Sequence, residues 1–135
     1  MSVDNKFFYS CIVLITSLLD NKAKSSFYII HLLYNNNTLI NPMDKIDKVL
    51  EKFWNNSAKI IYHNLGDYFK GAPVGIFPLA TYYRISLPSL LSNVDKVIYT
   101  DVDVINLKDL SEMYNIKFKD NTYIWGSLDF FKTSK

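Results

Sequence analysis

The stretch Asp95-Lys96-Val97-Ile98-Tyr99-Thr100-Asp101-Val102-Asp103 decides how this chain is read. An apolar run, Val97 to Tyr99, ends abruptly in two carboxylates spaced i and i+2. In an extended backbone alternate side chains share a face, about 6–7 Å apart along the chain. Asp101 and Asp103 can therefore both reach one hard cation, directly or through water. The apolar run reads as a buried parallel strand, which puts the acids at its carboxyl end, where open α/β sheets bind ligands. That placement points to a metal holding a phosphate-bearing substrate.

Two plainer readings compete for the same residues. An Asp-x-Asp tripeptide also arises on ordinary surface turns. An EF-hand loop starting at Asp101 would use Asp103, Asp109 and Glu112 as ligands. It fails because Ile105 occupies the third ligand position and Asn106 replaces the glycine of the sharp turn.

Composition sets the outer bounds. At 135 residues the chain is at most one domain. With 49% hydrophobic and 16% aromatic residues it can bury a core, which argues against disorder. A formal charge of +2 is too small to imply a nucleic-acid partner. The single cysteine, Cys11, excludes an internal disulfide and gives no metal-site spacing. Its apolar neighbours predict a packed core thiol, in keeping with a reducing compartment. The run Phe7 to Leu19 is too short to span a bilayer and lacks the flanks of a signal sequence. Its apolar residues Phe8, Cys11, Ile12, Ile15, Leu18 and Leu19 recur at helical spacing, which predicts an amphipathic core helix.

Strands and helices alternate along the rest. Asp4 or Asn5 is expected to cap the first helix, which runs to about Leu19 and stops at Asp20-Asn21. Phe27 to Leu33 reads as a strand, and Asn35-Asn36-Asn37 breaks the chain. Asn41 caps a helix with Pro42 in its first turn and a buried stripe of Ile46, Val49, Leu50 and Phe53. Lys59 to Tyr62 is a second strand, and Leu65 to Pro78 a glycine- and proline-marked loop. A helix follows through Tyr82-Tyr83-Arg84, is interrupted near Pro88, and leads to the Val97–Tyr99 strand. Thr122 to Leu128 is a further strand candidate. This alternation predicts an α/β layered domain around a mainly parallel sheet. His31 and His63 lie in or beside apolar runs and read as core or edge histidines, not ligands.

The segment Thr81-Tyr82-Tyr83-Arg84 through Leu87-Pro88, then Asp95-Lys96-Val97 and Asp101-Val102-Asp103, resembles the donor-binding core of glycosyltransferase family 8. Val3-Asp4-Asn5-Lys6-Phe7, followed by a helix ending in Ser17-Leu18-Leu19, resembles that family's opening nucleotide loop. Gly126-Ser127-Leu128-Asp129 resembles a later segment that contributes an acid to the donor-sugar pocket. The resemblance implies an incomplete three-layer, Rossmann-like GT-A domain over residues 1–135. It implies Asp101 and Asp103 as ligands of manganese or another divalent cation, set against the diphosphate of a UDP-sugar with Val102 between them. Arg84, the only arginine among fifteen basic residues, matches a basic residue near the donor. A helix-surface arginine paired with a structural carboxylate is its plainer reading. Asp4 matches an acid that contacts the nucleoside, and Phe7 the aromatic on which uracil stacks; core packing is the alternative for Phe7. Lys6 stands where the family often has asparagine. Asp129 matches the sugar-pocket acid and is the one candidate placed near the reacting centre.

The activity implied is hexosyl transfer from a UDP-sugar to a glycan or lipid-linked glycan, with retention, in surface-polysaccharide synthesis. The expected location is cytoplasmic, at the inner face of the membrane, with peripheral membrane association of the full-length enzyme. The first helix begins almost at Met1, where such a domain usually opens with a strand. The family's metal-binding histidine and acceptor segment would lie beyond Lys135. These gaps lead to the expectation of a fragment that transfers poorly alone, with two alternatives: a non-catalytic nucleotide-sugar-binding remnant, or half of a split enzyme completed by a separate C-terminal half.

Overall fold

The computed structural model describes residues 1–37, 39, 43–52, 57–73, 75 and 77–126. Helix α1, Phe8–Asp20, leads into strand β1, Tyr28–Tyr34; helix α2, Asp44–Lys52, leads into strand β2, Ala58–Asn64. β1 and β2 pair in parallel over their full lengths, from Tyr28 opposite Ala58 to Tyr34 opposite Asn64. A 3₁₀ helix, Leu79–Ser86, runs directly into α3, Leu87–Leu90, and α4, Ser111–Tyr114, follows. The unit is mixed α/β around a parallel sheet, as expected of an incomplete Rossmann-like domain.

Residue alternation along β1 builds two cores. Ile30 and Leu32 turn to one face, where they join Phe8, Cys11, Leu14, Ile15 and Leu18 of α1, Ile46 of α2 and Ile60 of β2. Leu33 turns to the other face and packs with Leu65, Ala80 and Tyr83 from the loop and the 3₁₀ helix. A strand that buries both faces needs apolar residues at successive positions, and the run Tyr28-Ile29-Ile30-His31-Leu32-Leu33-Tyr34 supplies them. Cys11 is fully buried, its Sγ 3.9 Å from the sulfur of Met1. Burial pushes its thiol up to about 12, so it is an inert packing group.

Several elements depart from their sequence-based forms. Asp4 does not cap α1. Its Oδ1 accepts from the amide of Phe7 at 3.0 Å, in the turn ahead of the helix, and Phe7 is the N-cap without a side-chain bond. The helix through Tyr82-Tyr83-Arg84 is 3₁₀, and Pro88 lies in the first turn of α3, where a proline lacks no needed donor. Val97–Tyr99 is not a strand of the sheet: residues 96–100 join no ladder and Val97 is 40% exposed. The reason lies beside it, where a cavity of about 490 Å³ separates this segment from β1. Residues 122–126 are likewise not a strand, with Tyr123 and Ile124 exposed and no partner strand beside them among the described residues. Asn41, Pro42, Phe53, Leu128 and Asp129 lie outside the described residues.

The N-terminal residues attach to the free side of β1. Leu33 N–H donates to Met1 O and Val3 N–H to Leu33 O, both at 3.0 Å, giving one parallel bridge between Ser2 and Leu33. Met1 nitrogen donates to His31 O at 3.1 Å. On β1 and β2, His31 Nδ1 and His63 Nε2 lie 2.9 Å apart with their rings stacked. Burial lowers the proton affinity of both rings, helped by the nearby terminal ammonium, and at His31 by His63. Burial also lowers the ammonium from 8.0 to about 6, against the opposing pull of Cys11 and Asp101. All three groups bind protons less well folded than unfolded, so their stabilisation is complete above pH 8 and declines as pH falls. Denaturant titrations should lose about 2 kcal/mol between pH 8 and pH 6 from the ammonium, and more below 6.5 from the histidines. Stability that holds constant over this range would contradict the burial of these groups.

Asp109 ties the far end of the domain together. Its carboxylate accepts from Ala23 N–H at 2.7 Å, Tyr28 Oη at 2.8 Å and Ser111 N–H at 2.8 Å. Tyr28 Oη accepts in turn from Leu110 N–H at 3.0 Å. The bonds from Ser111 and Ala23 hold its carboxyl well below the usual carboxylate range. A calcium-loop role for Asp109 is thereby opposed by its engagement elsewhere. Asp109→Asn should destabilise the fold by about 1–2 kcal/mol at pH 7. The lowered carboxyl contributes above the unfolded pKa near 4 and loses that contribution below it. The gap between variant and parent should therefore close as pH falls under about 4, which chemical unfolding at both pH values measures.

Candidate donor site

The residues that gather at the carboxyl end of the sheet come from three places in the chain. Arg84, in the last turn of the 3₁₀ helix, extends an Nη2 to Oδ1 of Asp101 at 2.9 Å. Its Nε donates to Thr81 O at 3.1 Å, which fixes the side chain against its own helix. The guanidinium lies 4.5 Å from the ring centroid of Tyr99, in cation–π contact. Tyr99 Oη reaches Ser2 Oγ at 2.7 Å, joining the N-terminal segment to the acid-bearing one. Burial pushes the Tyr99 phenol up, so at neutral pH it is an uncharged hydrogen-bonding group.

Val102 explains how the two acids are presented. Its side chain is buried in the core with α1 and β1, while Asp101 and Asp103 on either side are exposed. Burial of Val102 leaves both neighbouring carboxylates at the surface; the backbone bends at Val102 and Asp103, in place of the extended form expected from the i, i+2 spacing. Both side chains of the Arg84–Asp101 pair are substantially exposed, at 41% and 57%. Such a pair is worth about 0–1 kcal/mol, so a ligand phosphate can replace it at little cost. The plainer reading of Arg84, pairing with a carboxylate, and its reading as a donor-site residue meet here, because its partner is Asp101.

Asp4 and Phe7 sit on the loop that enters α1. Phe7 is half-buried against the α1 core, with Lys6 Nζ 5.0 Å from its ring centroid. Its neighbour Phe8 is fully buried, so one aromatic supplies core and the other keeps an accessible face. Ser2, bonded to Tyr99, links the N-terminal segment to the Arg84 cluster. Ser2 and Tyr99 were not singled out as site residues from sequence. No spacing marks a serine or a tyrosine in an apolar run as a bridge; only the fold brings them within reach.

Among the described residues no group of three His, Cys, Asp or Glu side chains converges to hold a metal ion. The exposed carboxylates of Asp101 and Asp103 are hard oxygen ligands of the kind that suits manganese or magnesium. Two exposed carboxylates fit such an ion only when other oxygens, from a diphosphate or water, complete its shell. No described helix is long and apolar enough to cross a membrane.

The family model described as Glycosyl transferase family 8 matches residues 1–135. A curated protein of Haemophilus influenzae named "Putative glycosyltransferase" is 32% identical to the chain over 129 residues. The match covers 88% of this chain and 35% of that protein, so the chain spans about a third of its relative's length. No solved structure matches the chain at a significant level.

Proposed function

The chain belongs to glycosyltransferase family 8, and from that premise we propose that it forms the donor-binding part of a metal-dependent transferase that moves a sugar from a UDP-sugar to a glycan. The observation that carries this reading is the joint display of Asp101 and Asp103 around buried Val102, with Arg84 fixed beside Asp101. Asp101 and Asp103 would hold the divalent ion, which when bound supplies Lewis-acid stabilisation of the departing nucleoside diphosphate. Arg84 would exchange its contact with Asp101 for a phosphate oxygen, where a guanidinium fork is well matched. Phe7 would offer its accessible face to the uracil ring, and Asp4 its second carboxylate oxygen to the nucleoside. Tyr99, through Ser2 and Arg84, would hold the nucleoside loop and the phosphate-binding residues in one register. Asp129 remains the candidate for the sugar pocket. Retention, a hexose donor and a role in surface-polysaccharide synthesis at the cytoplasmic face of the membrane complete the proposal.

Nucleotide selectivity tests the site. With manganese present, UDP should bind at least about 10-fold tighter than ADP or GDP, the difference that a uracil-selective site makes. Equal affinity for the three would remove the uracil contact from the account. A second reading is favoured by the two-carboxylate donor set: a nucleotide-sugar-binding remnant, or one half of a split enzyme, that binds donor without turning it over. Release of free sugar from a UDP-sugar by the chain alone would rule out that second reading.

A further inference from the structure

Strands β1 and β2 bring together the only two histidines of the chain. His31 Nδ1 and His63 Nε2 face one another at 2.9 Å, with ring planes 22° apart. No sequence spacing announces the pair, since 32 positions separate its members. Their proximity follows from the register. Leu33 stands opposite His63, so His31, two residues earlier, shares its face as the diagonal neighbour, within reach of a long side chain. Both side chains are partly exposed, and each is carried on a strand paired along its whole length. The backbone under the two rings is therefore fixed, while the rings themselves stay open to solvent.

The spacing is that of two ligands on one metal ion. Nitrogens about 2.0–2.1 Å from an ion lie about 2.9 Å apart at right angles and about 3.4 Å apart at the tetrahedral angle. The right-angled case matches the pair as it stands, and the tetrahedral one needs only a small spread of the rings. Imidazole suits zinc, nickel and copper, whereas carboxylates suit the harder manganese and magnesium. We propose that His31 and His63 form a second cation site, chelating one borderline divalent ion across β1 and β2, apart from the carboxylates of Asp101 and Asp103. Binding exchanges the hydrogen bond between the rings for two dative bonds. The ring that donates this bond moves its proton to its outer nitrogen, His31 Nε2 or His63 Nδ1. Each ring then tilts to turn its facing lone pair onto the ion. No net proton is released and no electron is transferred. Among the described residues no third His, Cys, Asp or Glu converges with the pair, so water fills the remaining positions. Affinity should be greatest for copper and least for manganese, with nickel and zinc between them. Because its ligands come from neighbouring strands, the ion ties the sheet together and stabilises the folded chain by mass action.

The probe is nickel chloride, added to the full chain without an affinity tag. Substoichiometric nickel should broaden the ring-proton signals of His31 and His63 in the NMR spectrum ahead of other side-chain signals. By calorimetry its affinity should fall at least about 10-fold in His31→Gln and in His63→Gln. In Asp103→Ala it should stay within about 2-fold of the parent, as for a separate site. Saturating nickel should raise the thermal midpoint of the parent by at least about 3 °C and leave that of His63→Gln unchanged. If a glutamine variant does not fold, the ring signals of the parent decide the matter alone. Nickel that broadens neither ring, or that binds His63→Gln as well as the parent, would overturn the proposal. So would binding lost only in Asp103→Ala, which would place the ion on the carboxylates.

Discussion

Asp103→Ala should abolish manganese-assisted UDP binding, lowering its affinity by at least about 100-fold, while the thermal midpoint stays within about 2 °C of the parent. The two expectations come from one observation. Asp103 is exposed and the core contact of this segment belongs to Val102, so the fold does not depend on the carboxylate. A cation held by only two protein carboxylates loses half of its protein ligands when one is removed. Arg84→Ala separates charge from coordination at the same place. It removes the guanidinium from Asp101 Oδ1 and should weaken UDP by about 10–100-fold, without weakening manganese alone. Circular dichroism melts and calorimetry on the same samples read both quantities. An Asp103→Ala protein that keeps full manganese-assisted binding would remove the carboxylate pair from the site.

Phe8→Ala should cost about 3–5 kcal/mol, a large part of the stability that a domain of this size holds. The ring of Phe8 is wholly excluded from solvent in the core with α1, β1 and α2, so its removal loses that burial and leaves a cavity. Phe7→Ala should behave in the opposite way. Phe7 is half-buried with a lysine over its ring, so its loss should cost stability little and UDP affinity about 1–3 kcal/mol, the worth of one base stacked on an aromatic. Urea unfolding and UDP titration of the two variants side by side distinguish core from site. If Phe7→Ala unfolds the protein as Phe8→Ala does, Phe7 is a core residue and the stacking role fails.

Much of the first half of the fold was legible because its signals are local. The spacing of Phe8, Cys11, Ile15 and Leu18 marked α1, and the apolar runs at 27–33 and 59–62 marked two strands that the structure pairs in parallel, at 28–34 and 58–64. The second half was legible only in part, since a strand is defined by its neighbour. Val97–Tyr99 and Thr122–Leu128 have strand-like composition, yet among the described residues neither Val97–Tyr99 nor residues 122–126 join a ladder. Nothing within nine residues reports on a partner elsewhere. The same limit applies to the site. The i, i+2 acids were visible, but Arg84 on Asp101, Tyr99 on Ser2 and the clamp of Asp109 on Ala23 and Tyr28 span 17 to 97 positions. Such contacts are decided by tertiary packing. Phe7 and Phe8 show the complementary case: adjacent identical residues whose separate environments follow from which one the helix turns inward.

The central claim is that Asp101 and Asp103 present one divalent ion to a nucleoside diphosphate. Calorimetric titration of UDP into the unmodified chain, with and without saturating manganese, tests it most directly. The account predicts binding at least about 10-fold tighter with the metal, because each partner completes the other's coordination. Equal UDP affinity in the two titrations would contradict it.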